Sequence, residues 1–244
     1  GTEIGGYLGD LLENGSSTAV AFTIYDQDGV DTLNVTGFTT NNRIDLNDES
    51  FSDVGGLIGN IGIARNTLIE NASLGSGNDT ITGNEADNMI DGGNGRDTLI
   101  GGEGNDTLLG GTDVGDLSDA LYAGAGNDSL DGGYGNDELR GDAGNDTILG
   151  GFGADTVIGG TGDDVMTGSA WSDLMFGGDG DDFINGGFGS DRVNGGAGAD
   201  RFYHLGIADH GSDWIQDYEG GDGDVLVFGD STASVDDFKV NFAE

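Results

Sequence analysis

Aspartate recurs through this chain at a fixed nine-residue spacing, each time behind a cluster of glycines, as in GGNGRDTLIGGEGNDTLL at 92–109. A carboxylate is a hard, charged oxygen ligand. Glycines at the first, second and fourth places of each unit let the backbone curl, so that its carbonyl oxygens can aim at one point. Several oxygens at flexible geometry, with no nitrogen or sulfur, suit Ca²⁺ better than zinc, copper or iron. The chemistry implied is therefore cation binding by loops, not group transfer.

The elements that hold these loops are set by the repeat itself. Four nine-residue units run from Leu74 to Leu109, a thirteen-residue unit occupies 110–122, and nine strict nonapeptides run from Ala123 to Tyr203. The sixth place is Asp in every unit but one, where it is Asn88, with Asp119 taken as the sixth residue of the long unit. The eighth place is always apolar, from Ile81 to Phe202. Alternation along a three-residue strand points only that middle side chain inward. Two units then make one turn of a flattened coil with a loop on each edge. Seven turns at ~4.8 Å between strands predict a rod roughly 34 Å long.

Composition agrees that a cation is needed. Of 244 residues, 52 are Gly and none is Pro or Cys, and 46 acids against seven bases give a formal charge of −39. Phosphate would be repelled, so nucleic acid is excluded as a natural partner. So acidic a chain with so few large aliphatics would stay disordered without added stabilisation. Residues eighteen apart are vertical neighbours: Asp137 lies over Asp119 and under Asp155. Two unit charges ~5 Å apart repel by ~3 kcal/mol at an effective dielectric of 20. A divalent ion between them reverses the sign, and a site held at about ten times its Kd adds ~1.4 kcal/mol. Without cysteine there is no disulfide scaffold or thiolate site. No apolar run approaches the ~18 residues of a membrane span, so stable insertion is not expected. The beginning, GTEIGGYLGD, has no basic-then-apolar leader and reads as a cut end, and VDDFKVNFAE lacks an acid followed by terminal apolar residues.

The nonapeptide is that of the repeats-in-toxin (RTX) proteins. The stretch 26–79, above all NRIDLNDESFSDVGG, resembles the lead-in to the repeat domain of serralysin-type secreted zinc metalloproteases. The resemblance covers roughly residues 20 to 230 and implies an all-β fold, a right-handed parallel β-roll with flanking antiparallel strands. It implies three segments: an N-terminal β-strand segment at 1–73, the roll at 74–203 and a capping segment at 204–244. It also implies roughly ten Ca²⁺ ions, each between the loops of successive turns, held by carbonyls of the first four loop residues and by the aspartates.

Carried onto this chain, the resemblance assigns a lead-in site to Asp26, Asp28, Gly29 and Asp31, with Glu70 helping the loop of Gly75, Gly77 and Asp79. Along one edge the ligand loops are then Gly92, Gly93, Asn94, Gly95 and Asp97; Gly110, Gly111 and Asp119; Gly132, Gly133, Tyr134, Gly135 and Asp137; and Gly150, Gly151, Phe152, Gly153 and Asp155. Asp173 and the loop of Gly186, Gly187, Phe188, Gly189 and Asp191 continue it. The other edge uses Gly101, Gly102, Glu103, Gly104 and Asp106; Gly124, Gly126 and Asp128; Gly141, Asp142, Ala143, Gly144 and Asp146; and Gly159, Gly160, Thr161, Gly162 and Asp164. Gly177, Gly178, Asp179, Gly180 and Asp182 follow, and then Gly195, Gly196, Ala197, Gly198 and Asp200. Asn88 in GNEADN implies a weaker, less charged site. Trp171 replaces a glycine in GSAWSD, before Asp173, and the long unit leaves open which of Asp113, Asp116 and Asp119 ligates.

The third loop residue projects away from the metal, and aromatics collect there on one edge only: Tyr134, Phe152 and Phe188, with Trp171 beside Ala170. They either stack on one another or under the C-terminal segment, or form an exposed strip that docks a partner. The histidines of HLGIADH, His204 and His210, read as an incidental solvent-facing pair, and Trp214, Ile215 and Val225 as a cover for the last turn. No His-Glu-x-x-His occurs, so this chain is not expected to be an enzyme, and zinc would belong to a catalytic domain outside it. The function implied is a calcium-triggered folding module of a secreted, extracellular bacterial metalloprotease. It would leave the cell unfolded through type I secretion machinery and stabilise the attached protease domain. The alternative is an RTX binding or adhesion module of another secreted enzyme, docking a polysaccharide or partner chain.

Overall fold

Short strands separated by glycine loops can bury their single inward side chain only by stacking, and the computed structural model shows that stack. It describes residues 21–26, 28–204 and 211–229, with the backbone alone at 239–240. Among the described residues there is no helix, hence none long and apolar enough to cross a membrane. Two sheets of ten strands face each other, and every neighbouring pair within them is parallel. One sheet runs from Thr32–Asn34 through Asn71–Ser73, Met89–Asp91 and Thr147–Phe152 to Val225–Phe228. The other runs from Arg43–Asp45 through Thr80–Thr82, Ala120–Ala125 and Arg192–Ala197 to Lys239–Val240. Consecutive strands alternate between the sheets, so the chain is an all-β parallel coil with two units per turn.

The eighth residues form the interior. Leu121 pairs with Leu99 on one side and Leu139 on the other, and Ile148 lies between Leu130 and Met166. All fourteen, from Ile81 to Phe202, are at most 4% exposed. The thirteen-residue unit keeps this register because its extra residues bulge before Asp119, leaving Leu121 in line.

Both sheets run past the limits of the nonapeptides. Thr32–Asn34 and Arg43–Asp45 join before residue 74, and Trp214–Ile215 and Val225–Phe228 continue the ladders after 203. Ten rungs at ~4.8 Å give roughly 48 Å, longer than the repeats alone predict. This also corrects the expected cover. Ile215 is buried, but Trp214 and Val225 are 40% and 44% exposed, because they flank inward residues of further parallel strands instead of folding over the end. The antiparallel pairing expected beside the roll is in a small sheet, where Ile61–Ile63 pairs parallel with Phe22–Ile24 and antiparallel with Phe51–Ser52. This N-terminal part has a conventional core, including Ile24, Leu46, Val54, Ile61 and Ile69.

Candidate metal centre

Each strand begins one residue after a sixth-position aspartate, which fixes that side chain at the loop's inner corner. Its Oδ1 accepts the backbone N–H of the corresponding residue one turn earlier. On one edge the chain of bonds links Asn42, Asp79, Asp97, Asp119, Asp137, Asp155, Asp173, Asp191 and Asp213, at 2.6–3.3 Å. On the other it links Asn88, Asp106, Asp128, Asp146, Asp164, Asp182, Asp200 and Asp224, at 2.7–3.1 Å. Asp119, not Asp113, takes the ladder place in the long unit.

The second carboxylate oxygen is different. Oδ2 is buried with no hydrogen-bond partner in twelve ladder aspartates: Asp79, Asp97, Asp106, Asp119, Asp128, Asp137, Asp146, Asp155, Asp164, Asp173, Asp182 and Asp191. A buried, charged acceptor without a partner is costly. Burial first, and neighbouring acids second, push these carboxyls up: Asp97 and Asp137 to about 7, Asp119 to about 8, and Asp106 to about 6. Hydrogen bonds from the preceding turn pull the other way without cancelling the rise.

Nine of these Oδ2 atoms face another acceptor. A Cβ added to Gly150 would lie 2.8 Å from Asp155 Oδ2 and 2.8 Å from the Gly168 carbonyl oxygen. At Gly132 and Gly110 the same cradle is bounded by Asp137 Oδ2 and Gly150 O, and by Asp119 Oδ2 and Gly132 O. Gly92, Gly101, Gly141, Gly159, Gly168 and Gly177 repeat it with Asp97, Asp106, Asp146, Asp164, Asp173 and Asp182. Two acceptors with no donor between them could be bridged by a cation, or by a proton on the raised carboxyl. Among the described residues no three acidic or histidine side chains gather at one point. Any ion must therefore be completed by backbone carbonyls, a mixed oxygen set that fits Ca²⁺.

The departures from the repeat have structural answers. In GNEADN the Asn84 side chain occupies the loop and donates to the Leu46 and Ile69 carbonyls at 3.1 and 2.9 Å, while Asn88 donates to Glu70 O at 2.8 Å. Amide N–H groups thus satisfy these carbonyls. In GSAWSD, Ser169 and Trp171 adopt φ of +87° and +89°, so the loop of Asp173 keeps glycine-like geometry at a steric cost. In the lead-in, Asp31 is buried and its N–H donates to Glu70 Oε2 at 2.7 Å. Asp28 is exposed and its N–H reaches Asp26 Oδ1 at 3.4 Å. Residue 27 lies outside the described residues.

His204 is a correction. Instead of facing solvent it is 3% exposed, and its Nδ1 lies 2.9 Å from Asp213 Oδ2, so imidazole occupies the oxygen left open elsewhere in the ladder. His210 lies outside the described residues. A second ladder was also missed. Fifth-position side chains accept N–H groups from the next turn, as Asn105 does from Asn127, Asn127 from Asn145 and Asn145 from Asp163, at 2.8–3.0 Å. The preference for Asn, Asp and Ser at that place was its visible signal.

The aromatic edge combines stacking with exposure. Tyr134 and Phe152 stack with centroids 4.6 Å apart and planes 12° from parallel. Phe152 and Phe188 remain 53% exposed and Trp171 71%.

Comparison with known proteins agrees with this geometry. Residues 11–242 match the family described as Peptidase M10 serralysin C terminal. Eighty residues are 50% identical to Metallopeptidase AprA of Pseudomonas marginalis, covering 33% of this chain and 17% of that protein. Seventy-four are 53% identical to Serralysin of Photorhabdus laumondii subsp. laumondii, 30% of this chain and 15% of the relative. Sixty-six are 53% identical to Serralysin B of Dickeya chrysanthemi, 27% and 14%. The matched stretches span well under a fifth of these relatives' lengths. With the nonapeptides, the parallel roll and a family match over nearly the whole length in agreement, the chain belongs to the serralysin C-terminal family.

Proposed function

We propose that this chain is the calcium-binding roll of a secreted bacterial zinc metalloprotease, which folds on meeting extracellular Ca²⁺ and supports the protease domain attached to it. One observation carries the proposal: twelve buried carboxylate oxygens without partners along two edges, nine of them set beside a backbone carbonyl. Each Oδ2, with the first-position carbonyl of the next turn, would hold an ion. Bound Ca²⁺ would supply the positive charge that the stack lacks, replacing repulsion between rungs by a shared ligand.

The same charges serve export. Extracellular calcium modules typically bind at about 10⁻⁴–10⁻³ M, so the chain would stay unfolded at cytosolic calcium and fold outside. A self-repelling acidic polymer suits threading through a type I channel, and folding beyond it opposes return. Zinc and peptide hydrolysis belong to the catalytic domain, outside this sequence.

Far-UV circular dichroism during calcium titration tests the proposal, with magnesium as control. Strand signal should rise with Ca²⁺ and stay low with Mg²⁺, whose octahedral demand these loops do not meet. Full strand signal in chelator, or equal folding with magnesium, would refute it.

A further inference from the structure

The four-residue expansion of the long unit creates a carboxylate that the regular repeat lacks. In ordinary turns the fourth-position N–H donates to the third-position carbonyl of the next turn, as Gly135 does to Phe152 O at 2.9 Å and Gly104 to Ala125 O at 2.9 Å. At Gly95 that carbonyl is displaced by the expansion, and the N–H donates instead to Asp116 Oδ1 at 2.9 Å. The Leu117 N–H, which bonds the Gly95 carbonyl, also reaches that oxygen at 2.9 Å. Asp116 is only 9% exposed, whereas Asn94 and Tyr134 in the adjacent turns are half-buried and Phe152 further along is exposed. Its Oδ2 is buried without any hydrogen-bond partner. A Cβ placed on Gly111 would meet both Asp116 Oδ2 and the Gly93 carbonyl oxygen, so two acceptors again border one cradle.

We propose that Asp116 is an additional cation ligand on this edge, its Oδ1 standing in for the carbonyl that the expansion displaced and its Oδ2 facing the Gly93 carbonyl as the metal oxygen. The inference rests on the calcium reading above and deepens it. A carboxylate in place of a neutral carbonyl adds one negative charge to the donor set, which makes this the tightest position on the roll and the first to fill. Asp91, Asp97, Asp113 and Asp119 contribute to the same field. Asp113, three residues earlier, is the natural control: it is exposed, and its Oδ2 accepts from Asn94 Nδ2 at 3.0 Å.

The test is a calorimetric Ca²⁺ titration of the whole chain beside Asp116→Asn, Asp116→Glu and Asp113→Asn. Asn keeps the Oδ1 acceptor and places an N–H against Gly93 O, much as Asn84 does at its own loop. The native chain should show one site filling at about tenfold lower Ca²⁺ than the rest, given how strongly ligand charge tunes such sites. That early site should vanish in D116N and persist in D113N and D116E. Superimposable native and D116N titrations, equal loss in D113N, or loss in D116E as well would overturn the assignment. No calcium binding by the native chain would defeat the broader reading along with it. Should D116N fail to reach the native dichroism spectrum, retention of the early site in D116E supports the proposal and its loss there overturns it.

Discussion

Asp146→Asn separates a metal ligand from a structural aspartate, because it acts oppositely with and without calcium. Asp146 Oδ1 accepts the Asp128 N–H at 2.8 Å, and its Oδ2 is buried without a partner, across the Gly141 cradle from Gly159 O. Asn preserves the first bond and turns the orphan acceptor into a donor aimed at that carbonyl. Without metal, satisfying one buried oxygen contributes about 1–3 kcal/mol. Loss of a charge near Asp164 and Asp128 adds to this. With metal, each site abolished removes about 2.7 kcal/mol at a hundredfold excess of Ca²⁺ over Kd. The assay is the trimethylamine N-oxide concentration that restores half of the strand signal in chelator, beside urea unfolding in excess Ca²⁺. D146N should need less osmolyte than the native chain, yet gain less stability when calcium is added. A variant weaker in chelator, or one with an unchanged calcium increment, would refute the reasoning.

Acidity should act in opposite senses too. Carboxyls raised to about 6–8 in the metal-free fold bind protons that the unfolded chain, titrating near 4, releases, so metal-free stability is greatest in acid and is lost as pH rises from about 4 to 8. In chelator, strand signal should therefore grow as pH falls from 8 to 5, while in calcium the Ca²⁺ midpoint should rise; unfolding on acidification in chelator would contradict this. Gly150→Ala places a methyl 2.8 Å from Asp155 Oδ2 at a backbone angle any residue tolerates, so calorimetry should show a Ca²⁺ midpoint raised by about tenfold. Gly151→Ala, at φ +105°, should instead cost about 1–3 kcal/mol through backbone strain, measured by urea unfolding. His204→Ala leaves Asp213 Oδ2 buried without its imidazole and should cost about 1–3 kcal/mol in excess calcium, read as a lower melting temperature.

The repeat made most of the fold legible. An apolar residue at every eighth place admits only a coil that stacks those side chains, and Ile81 to Phe202 do so. The carboxylate ladders followed from the eighteen-residue turn. What stayed hidden depended on contacts that spacing does not encode. His204 looked exposed because nothing local announces Asp213, nine residues away, as its partner. Trp214 and Val225 looked like a cover because Asp213 and Asp224 stand off the regular period, 22 and 24 residues after Asp191 and Asp200. Asp116 was one of three acids in an expanded loop, and only the direction of its side chain separates it from Asp113. Asn88 was legible as a break in the aspartate series, but the filling of its loop by Asn84 required the carbonyls of Leu46 and Ile69, distant in sequence.

The central claim, that metal holds the acidic rungs together, is tested most directly by anomalous diffraction from crystals of this chain grown in calcium chloride. Calcium peaks should lie 2.3–2.6 Å from the unpartnered Oδ2 atoms and the carbonyls facing them, along both edges and beside Asp116, and be missing at Asn84. An ordered roll with only water, or nothing, beside those oxygens would contradict it.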